Sequence, residues 1–177
     1  MPELSPIARK YILHWGELGT RWGINRTMAQ IHALLYLSEK PLNAEEICDT
    51  LELARSNVST SLRELQNWGV VRTVHLMGDR RDHFESMKDV FEMFRVVLNE
   101  RKRREIDPTL ALLRESVDEM EKTKGGVDEV TRERLQAMLE FFEMGDQWIG
   151  QIQKMPSSAL LKAVKMGGKI FKLLGLA

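Results

Sequence analysis

The sequence predicts a mostly α-helical protein that carries one small β-hairpin, and three observations predict it. Apolar residues recur at i, i+3 or i+4 and i+7 through most of the 177 residues. One stretch, "VVRTVHLM", is instead rich in β-branched residues with near-alternating character, and "GDRR" and "DHFES" after it offer a turn and a returning strand. Breaks with Pro, Gly or a capping residue ("SEKPLN", "NWG", "KGGV") divide the periodic stretches into helices of ordinary length.

Composition sets the outer bounds. Hydrophobic residues make up 43% and charged residues 29%, which supports a buried core and excludes a disordered chain. Lys plus Arg is 26 and Asp plus Glu is 26, for a net charge of +0. That excludes a uniformly basic coat protein but leaves room for a local nucleic-acid surface. Cys48 is the one cysteine, so no internal disulfide forms and a reducing, cytoplasmic setting is expected. The start lacks the basic-then-apolar order of a signal peptide, and no uncharged run is long enough to span a bilayer.

The elements follow in order. The first helix runs from Pro6 to about Arg21, with Tyr11, Trp15, Leu18 and Trp22 at i, i+4, i+7 and i+11 as an aromatic seam. The second covers Arg26 to Leu37, with Met28, Ile31, Leu34 and Leu35 inward, and stops ahead of Pro41. A short third helix starts at Asn43, whose spacing to Glu46 is an Asn-x-x-Glu variant of the capping box. Leu42 and Ile47 have hydrophobic-staple spacing, and the helix ends near Thr50 to Glu52. In the fourth helix Val58, Leu62 and Leu65 form the inner face. A Leu53–Val58 staple puts Ala54 at its N-cap, with Ser56 as the alternative cap, and Gly69 stops it. The hairpin comes next. From Met87 onward the pattern is helical: "KDVFEMFRVVLNERKRREI" runs into "DPTLALLRESVDEMEKT", with Pro108 in the first turn of a renewed helix. "KGGV" breaks it, a long helix follows, and Pro156 opens a last segment. The expected division is a head, residues 1–87, and a helical dimerisation region, residues 88–177.

Short helix, turn, second helix and hairpin make a winged helix-turn-helix. The fourth helix carries Ser56, Asn57, Ser59, Thr60 and Arg63 away from its apolar face. Such residues are mediocre helix formers, but they can donate and accept at base edges and phosphates in a major groove. Arg80 and Arg81 sit at the wing tip, where a guanidinium can reach a minor groove or flanking phosphates. Asp79 and Asp82 flank them, so one arginine is expected to be held by pairing.

The blocks "NVSTSLRELQNWGVV" and "GDRRDHFE", with "ERKRREIDPTLALLRE" further on, resemble the MarR-type winged-helix transcriptional regulators, in the branch named for GbsR. The resemblance covers roughly Arg26 to Glu115. It implies a homodimeric repressor on a pseudo-palindromic, double-stranded DNA operator. It places the recognition residues on Arg55 to Arg63 and the wing on Gly78 to Asp82. In that branch some members respond to choline or glycine betaine, so a small-molecule effector is implied as well. The chain departs from the family pattern at Ala54, where a capping Ser is common, and at Glu52, where a turn Gly is common.

Other features have two readings. Tyr11, Trp15 and Trp22 could cage a quaternary ammonium or pack as a seam, and Trp148 is a further aromatic candidate. "NERKRRE", Asn99 to Glu105, could touch phosphates or pair with neighbouring acids. Cys48 reads as a small buried hydrophobe rather than an oxidant sensor. His14, His32, His75 and His83 lack metal-ligand spacing, so neither metal nor cofactor is expected, and no catalytic motif is present. Phe91, Phe94, Leu98, Leu135, Leu139 and Phe142 offer apolar surface for a dimer. Near the end, Lys162, Lys165, Lys169 and Lys172 form one helical stripe, with Leu160, Leu161, Val164, Phe171 and Leu174 mostly away from it. Docking on a second subunit is the preferred reading there, ahead of contact with DNA or an anionic membrane, because Gly167–Gly168 would weaken a free helix. A winged-helix module that binds protein instead of DNA is the alternative function. The Ser, Thr, Asn and Arg face argues against it.

Overall fold

Ser5 starts the first helix, α1 (Pro6–Arg21), by accepting the Ala8 N–H at 3.2 Å, and Pro6 takes a first-turn position where its missing N–H costs nothing. The computed structural model describes residues 4–122 and 128–173. Asn25 caps α2 (Arg26–Leu37) through its Oδ1, which accepts from Thr27 and Met28 at 2.8 and 3.2 Å. Met28, Ile31, Leu34 and Leu35 are buried, as the periodicity predicts.

The seam on α1 is shifted from the expected one. Its fully buried line is Ile12, Gly16 and Gly19, with Tyr11, Trp15 and Leu18 half-buried beside it and Trp22 beyond the helix as its C-cap. The cause is backbone proximity. A Cβ at Gly19 would lie 2.6 Å from the Ala29 Cβ, and one at Gly16 would lie 2.7 Å from Gln30 Cγ. Two small residues one turn apart let α1 press against α2 more closely than large aromatics could.

Pro41 leads into β1 (Leu42–Asn43), then α3 (Ala44–Leu51) and α4 (Arg55–Asn67). β2 (Val71–Val74) and β3 (His83–Ser86) form the expected antiparallel hairpin, pairing Val71 with Ser86 and Val74 with His83. β1 adds a third strand that the sequence reading lacks, with Leu42 opposite Phe84 and Asn43 opposite His83. The order is β1-β3-β2, so β3 is central. The head core is Ile12, Met28, Ile31, Leu35, Ile47 and Val58 with Leu62, Leu65 and Val71, all buried. After β3, the Lys88 ammonium donates to the carbonyls of Leu35, Tyr36 and Ser38 at 2.8–2.9 Å, satisfying the open C-terminal end of α2.

The chain divides into two compact units between Met93 and Phe94, inside α5 (Val90–Arg101). In the second unit α5 does not stop and restart. It continues through a π-helical stretch, Lys102–Ile106, into α6 (Asp107–Lys122), where the Asp107 N–H donates to the Lys102 carbonyl. Pro108 cannot donate to residue 104 and its ring crowds that carbonyl, and the widened turn just ahead of it is where the helix adjusts. α6 packs against α7 (Glu129–Lys154), and Leu110, Leu113 and Met120 are the buried residues of α6. Asp128 caps α7, accepting from Thr131 N at 2.9 Å and from its hydroxyl at 2.7 Å. α8 (Ser157–Leu173) follows, and Arg95 clamps the α7–α8 turn through Met155 O and Ser157 Oγ at 2.8 and 2.9 Å. The break expected at 124–127 lies outside the described residues, as do the side chains of Lys169, Phe171, Lys172 and Leu174.

Candidate nucleic-acid interface

The interface starts from a rigid support. Asn43 Oδ1 accepts the N–H groups of Glu45 and Glu46 at 3.0 Å each, and Glu46 Oε2 accepts the Asn43 N–H at 2.8 Å, a complete capping box. Glu52 then takes a left-handed conformation with φ 54°. This is the turn position at which the resemblance leads one to expect Gly, and a left-handed backbone is the geometry that favours Gly. Leu53 N donates to Cys48 O at 3.0 Å across the turn.

α4 begins at Arg55 with Ala54 as N-cap, as the staple spacing predicts, and Ala54 supplies no side-chain bond. Val58, Leu62 and Leu65 are at most 3% exposed, and Ser61 joins them on the inner face. That leaves Ser56, Asn57, Ser59, Thr60 and Arg63 on the outer face, all exposed. None of these five has a hydrogen bond or ion pair with another described side chain. The helix ends at Gly69 with φ 76°, and Gln66 Nε2 donates to Thr73 Oγ1 at 2.8 Å, fastening α4 to β2.

In the wing the two tip arginines separate. Arg80 is exposed and has no partner among the described residues. Arg81 is held: its Nε lies 3.0 and 3.1 Å from the two Asp79 carboxylate oxygens and its Nη2 donates to Oδ2 at 2.6 Å. Those bonds hold the Asp79 carboxyl well below the usual carboxylate range and raise Arg81 further. His83 is buried beneath them, its Nδ1 3.0 Å from Arg81 O and its Nε2 3.6 Å from Asp79 Oδ2. Pairing by one arginine matches the expectation from the flanking acids.

Sequence reading missed Glu45. Its Oε1 is 3.1 Å from Arg55 Nη1 and its Oε2 is 3.5 Å from Arg81 Nη1. One carboxylate therefore touches both the start of α4 and the wing tip. The bonds from Arg55 come first and Arg81 second in holding Glu45 below the usual range. The partners lie ten and thirty-six residues away in sequence, so no local pattern announces them.

The remaining candidates fall elsewhere. Tyr11 and Trp15 stack at 5.5 Å with planes 25° apart, while Trp22, two turns past Trp15, is 52% exposed at the helix end. Trp148 is exposed on α7. In the basic stretch Lys102 pairs with Asp107 and with Asp146 (2.8 Å), Arg103 with Glu100 at 2.6 Å and Arg101 with Glu105 at 3.9 Å, so most of its charge is engaged within its own unit. Cys48 is half-buried and free. Among the described residues no three His, Cys, Asp or Glu side chains converge as a metal site.

A capped short helix, a tight turn, a helix with an uncommitted polar face and a wing with a free arginine define a winged helix-turn-helix regulator. Over residues 17–82 the chain matches the sequence profile of the MarR family, and along most of its length it is similar to a GbsR repressor. It is 21% identical over 153 residues to the HTH-type transcriptional repressor GbsR of Bacillus subtilis (strain 168), across 85% of this chain and 81% of that one. A solved structure described as a transcriptional regulator superposes with a TM-score of 0.59 at 19% identity, covering 84% of this chain and 96% of that chain, a likeness of fold. A mutant of S. aureus MepR bound to an oligodeoxyribonucleotide matches with a TM-score of 0.39 at 18% identity, covering 78% and 91% of the respective chains.

Proposed function

We propose that this DNA-binding regulator acts as a homodimeric repressor, seating α4 in the major groove of each operator half-site with Arg80 and Arg81 of the wing at the flanking minor groove. The observation that carries the reading is the outer face of α4. Ser56, Asn57, Ser59, Thr60 and Arg63 are exposed with no internal partners, on a helix whose inner face is sealed into the head. Unused donors and acceptors on a rigid element are what direct base reading requires. The repressor role rests on the GbsR relative, and the dimer on half-site arithmetic, since one winged helix reads too few base pairs for tight binding.

In the second unit the apolar side expected to serve a dimer is partly spent. Leu135, Leu139 and Phe142 are half-buried, whereas Val130, Phe141, Met144 and Trp148 are 55–67% exposed. At 100° per residue those four fall within one narrow stripe of α7. That stripe is the surface we assign to the second subunit, within the helical region proposed for dimerisation. We place the protein in the cytoplasm, and among the described residues no helix is long and apolar enough to cross a membrane. Choline or glycine betaine, tested by tryptophan fluorescence, is the effector class to try first, at the Tyr11–Trp15 stack.

Selection from a random duplex pool, followed by footprinting, tests the main reading. The expected result is an enriched inverted repeat whose affinity falls linearly with salt on a log–log plot. No enrichment and no salt dependence would overturn it in favour of a protein-binding module.

A further inference from the structure

We propose that Glu45 is a specificity-determining residue: a single carboxylate that engages the first arginine of the recognition helix and the paired arginine of the wing, and so withholds both from DNA that the protein does not fit. The inference rests on the DNA-binding reading above.

The geometry sets two cations against one shared anion. Arg55 and Arg81 reach opposite oxygens of Glu45, at 3.1 and 3.5 Å. Arg81 also has Asp79, so the four side chains sum to no net charge. All of these groups are solvent-accessible, with Glu45 55% and Arg55 73% exposed. Exposed pairs contribute little to folding, and α3 already has its cap from Asn43, so stability does not account for the arrangement. What the arrangement does is electrostatic. Arg63 and Arg80 carry free charge toward a phosphate backbone, whereas Arg55 and Arg81 must exchange a carboxylate for a phosphate. Glu45 itself repels phosphate. On a duplex that α4 cannot seat against, this exchange lacks the base contacts that would offset it, and the two arginines stay with Glu45. On the operator, seated contacts drive the exchange.

The test compares the full chain with Glu45→Gln, on a duplex enriched from a random pool and on a scrambled duplex of equal length, across a salt series. Gln keeps the length and polarity of the side chain, and thermal melting checks folding. Glu39→Gln, an exposed acid in the loop after α2, controls for loss of one negative charge. The expected result is tighter binding of the scrambled duplex by Glu45→Gln, by roughly tenfold at low salt. Its salt slope should steepen by about one to two, because each newly free cation displaces about 0.9 counterion. The gain on the enriched duplex should be smaller, so discrimination falls, and Glu39→Gln should match the wild type. Equal gains on both duplexes, no change on either, or weaker binding to both would overturn the proposal while leaving the DNA-binding reading intact. A wild type that binds neither duplex would overturn that reading, and the role of Glu45 with it.

Discussion

At His32 the head seals an imidazole beside Tyr36, ring centroids 6.5 Å apart, with its Nε2 left without a partner. Burial first, and the Lys88 charge second, pull its pKa down from 6.5 to about 4. The folded state therefore refuses a proton that the unfolded chain accepts. Stability from this group is complete above about pH 6.5 and declines as pH falls toward 4, by ~3 kcal/mol in all. Denaturant melts of His32→Leu should show a flatter stability profile across that interval than the wild type. Asn43 gives a second residue-scale prediction: Asn43→Ala removes both N–H contacts at the start of α3 and should cost ~1–2 kcal/mol in a urea melt. The two residues differ in how legible they are. Asn43 announces itself through its spacing to Glu46, because a capping box is local. His32 does not, because what lowers its pKa is the packing of α2 and a lysine fifty-six residues on.

For the helices, the periodicity of the sequence locates α2, α3 and α4 to within a residue or two, since each buries one face against the head core. It cannot reveal contacts that depend on tertiary approach. The Gly16–Gly19 line on α1 and the two-residue strand β1 are both of that kind. Gly19→Ala tests the first: a methyl meeting the Ala29 Cβ at 2.6 Å forces the helices apart, and a loss of ~1–3 kcal/mol in Tm-derived stability is expected. The π stretch at Lys102–Ile106 escapes a fixed 3.6-residue reading for the same reason that it exists, one extra residue in the turn ahead of Pro108. The exposed placement of the outer face of α4 is legible, because its five hydrogen-bonding residues lie opposite an apolar stripe and that periodicity is local. Arg63→Ala should weaken binding on the enriched duplex. Asn57→Ala or Ser59→Ala should alter the selected sequence, a bidentate base contact being worth about 1–3 kcal/mol. Three variants that fold and bind unchanged would exclude α4 as the reader.

At the scale of the whole molecule, the exposed α7 stripe predicts assembly. Sedimentation at micromolar concentration should give a dimer. Phe141→Glu with Trp148→Glu should shift it to monomer and lower duplex affinity in step, because half-site binding then loses its second contact. A double variant that stays dimeric would place the interface elsewhere. Lys162 and Lys165 of α8 are exposed, as the stripe expected there requires.

The central position of β3 has a consequence for the timing of synthesis. Leu42 and Asn43 leave the ribosome early but have no strand to join until His83 and Phe84 emerge. The carbonyls of Leu35 and Tyr36 wait longer still, for Lys88, fifty-three and fifty-two residues behind them. A nascent chain cut off before Lys88 would hold α4 and the whole hairpin, yet the carbonyls at the end of α2 would still lack their ammonium partner. The last few residues to arrive before α5 close a module whose α2 and α4 were made long before.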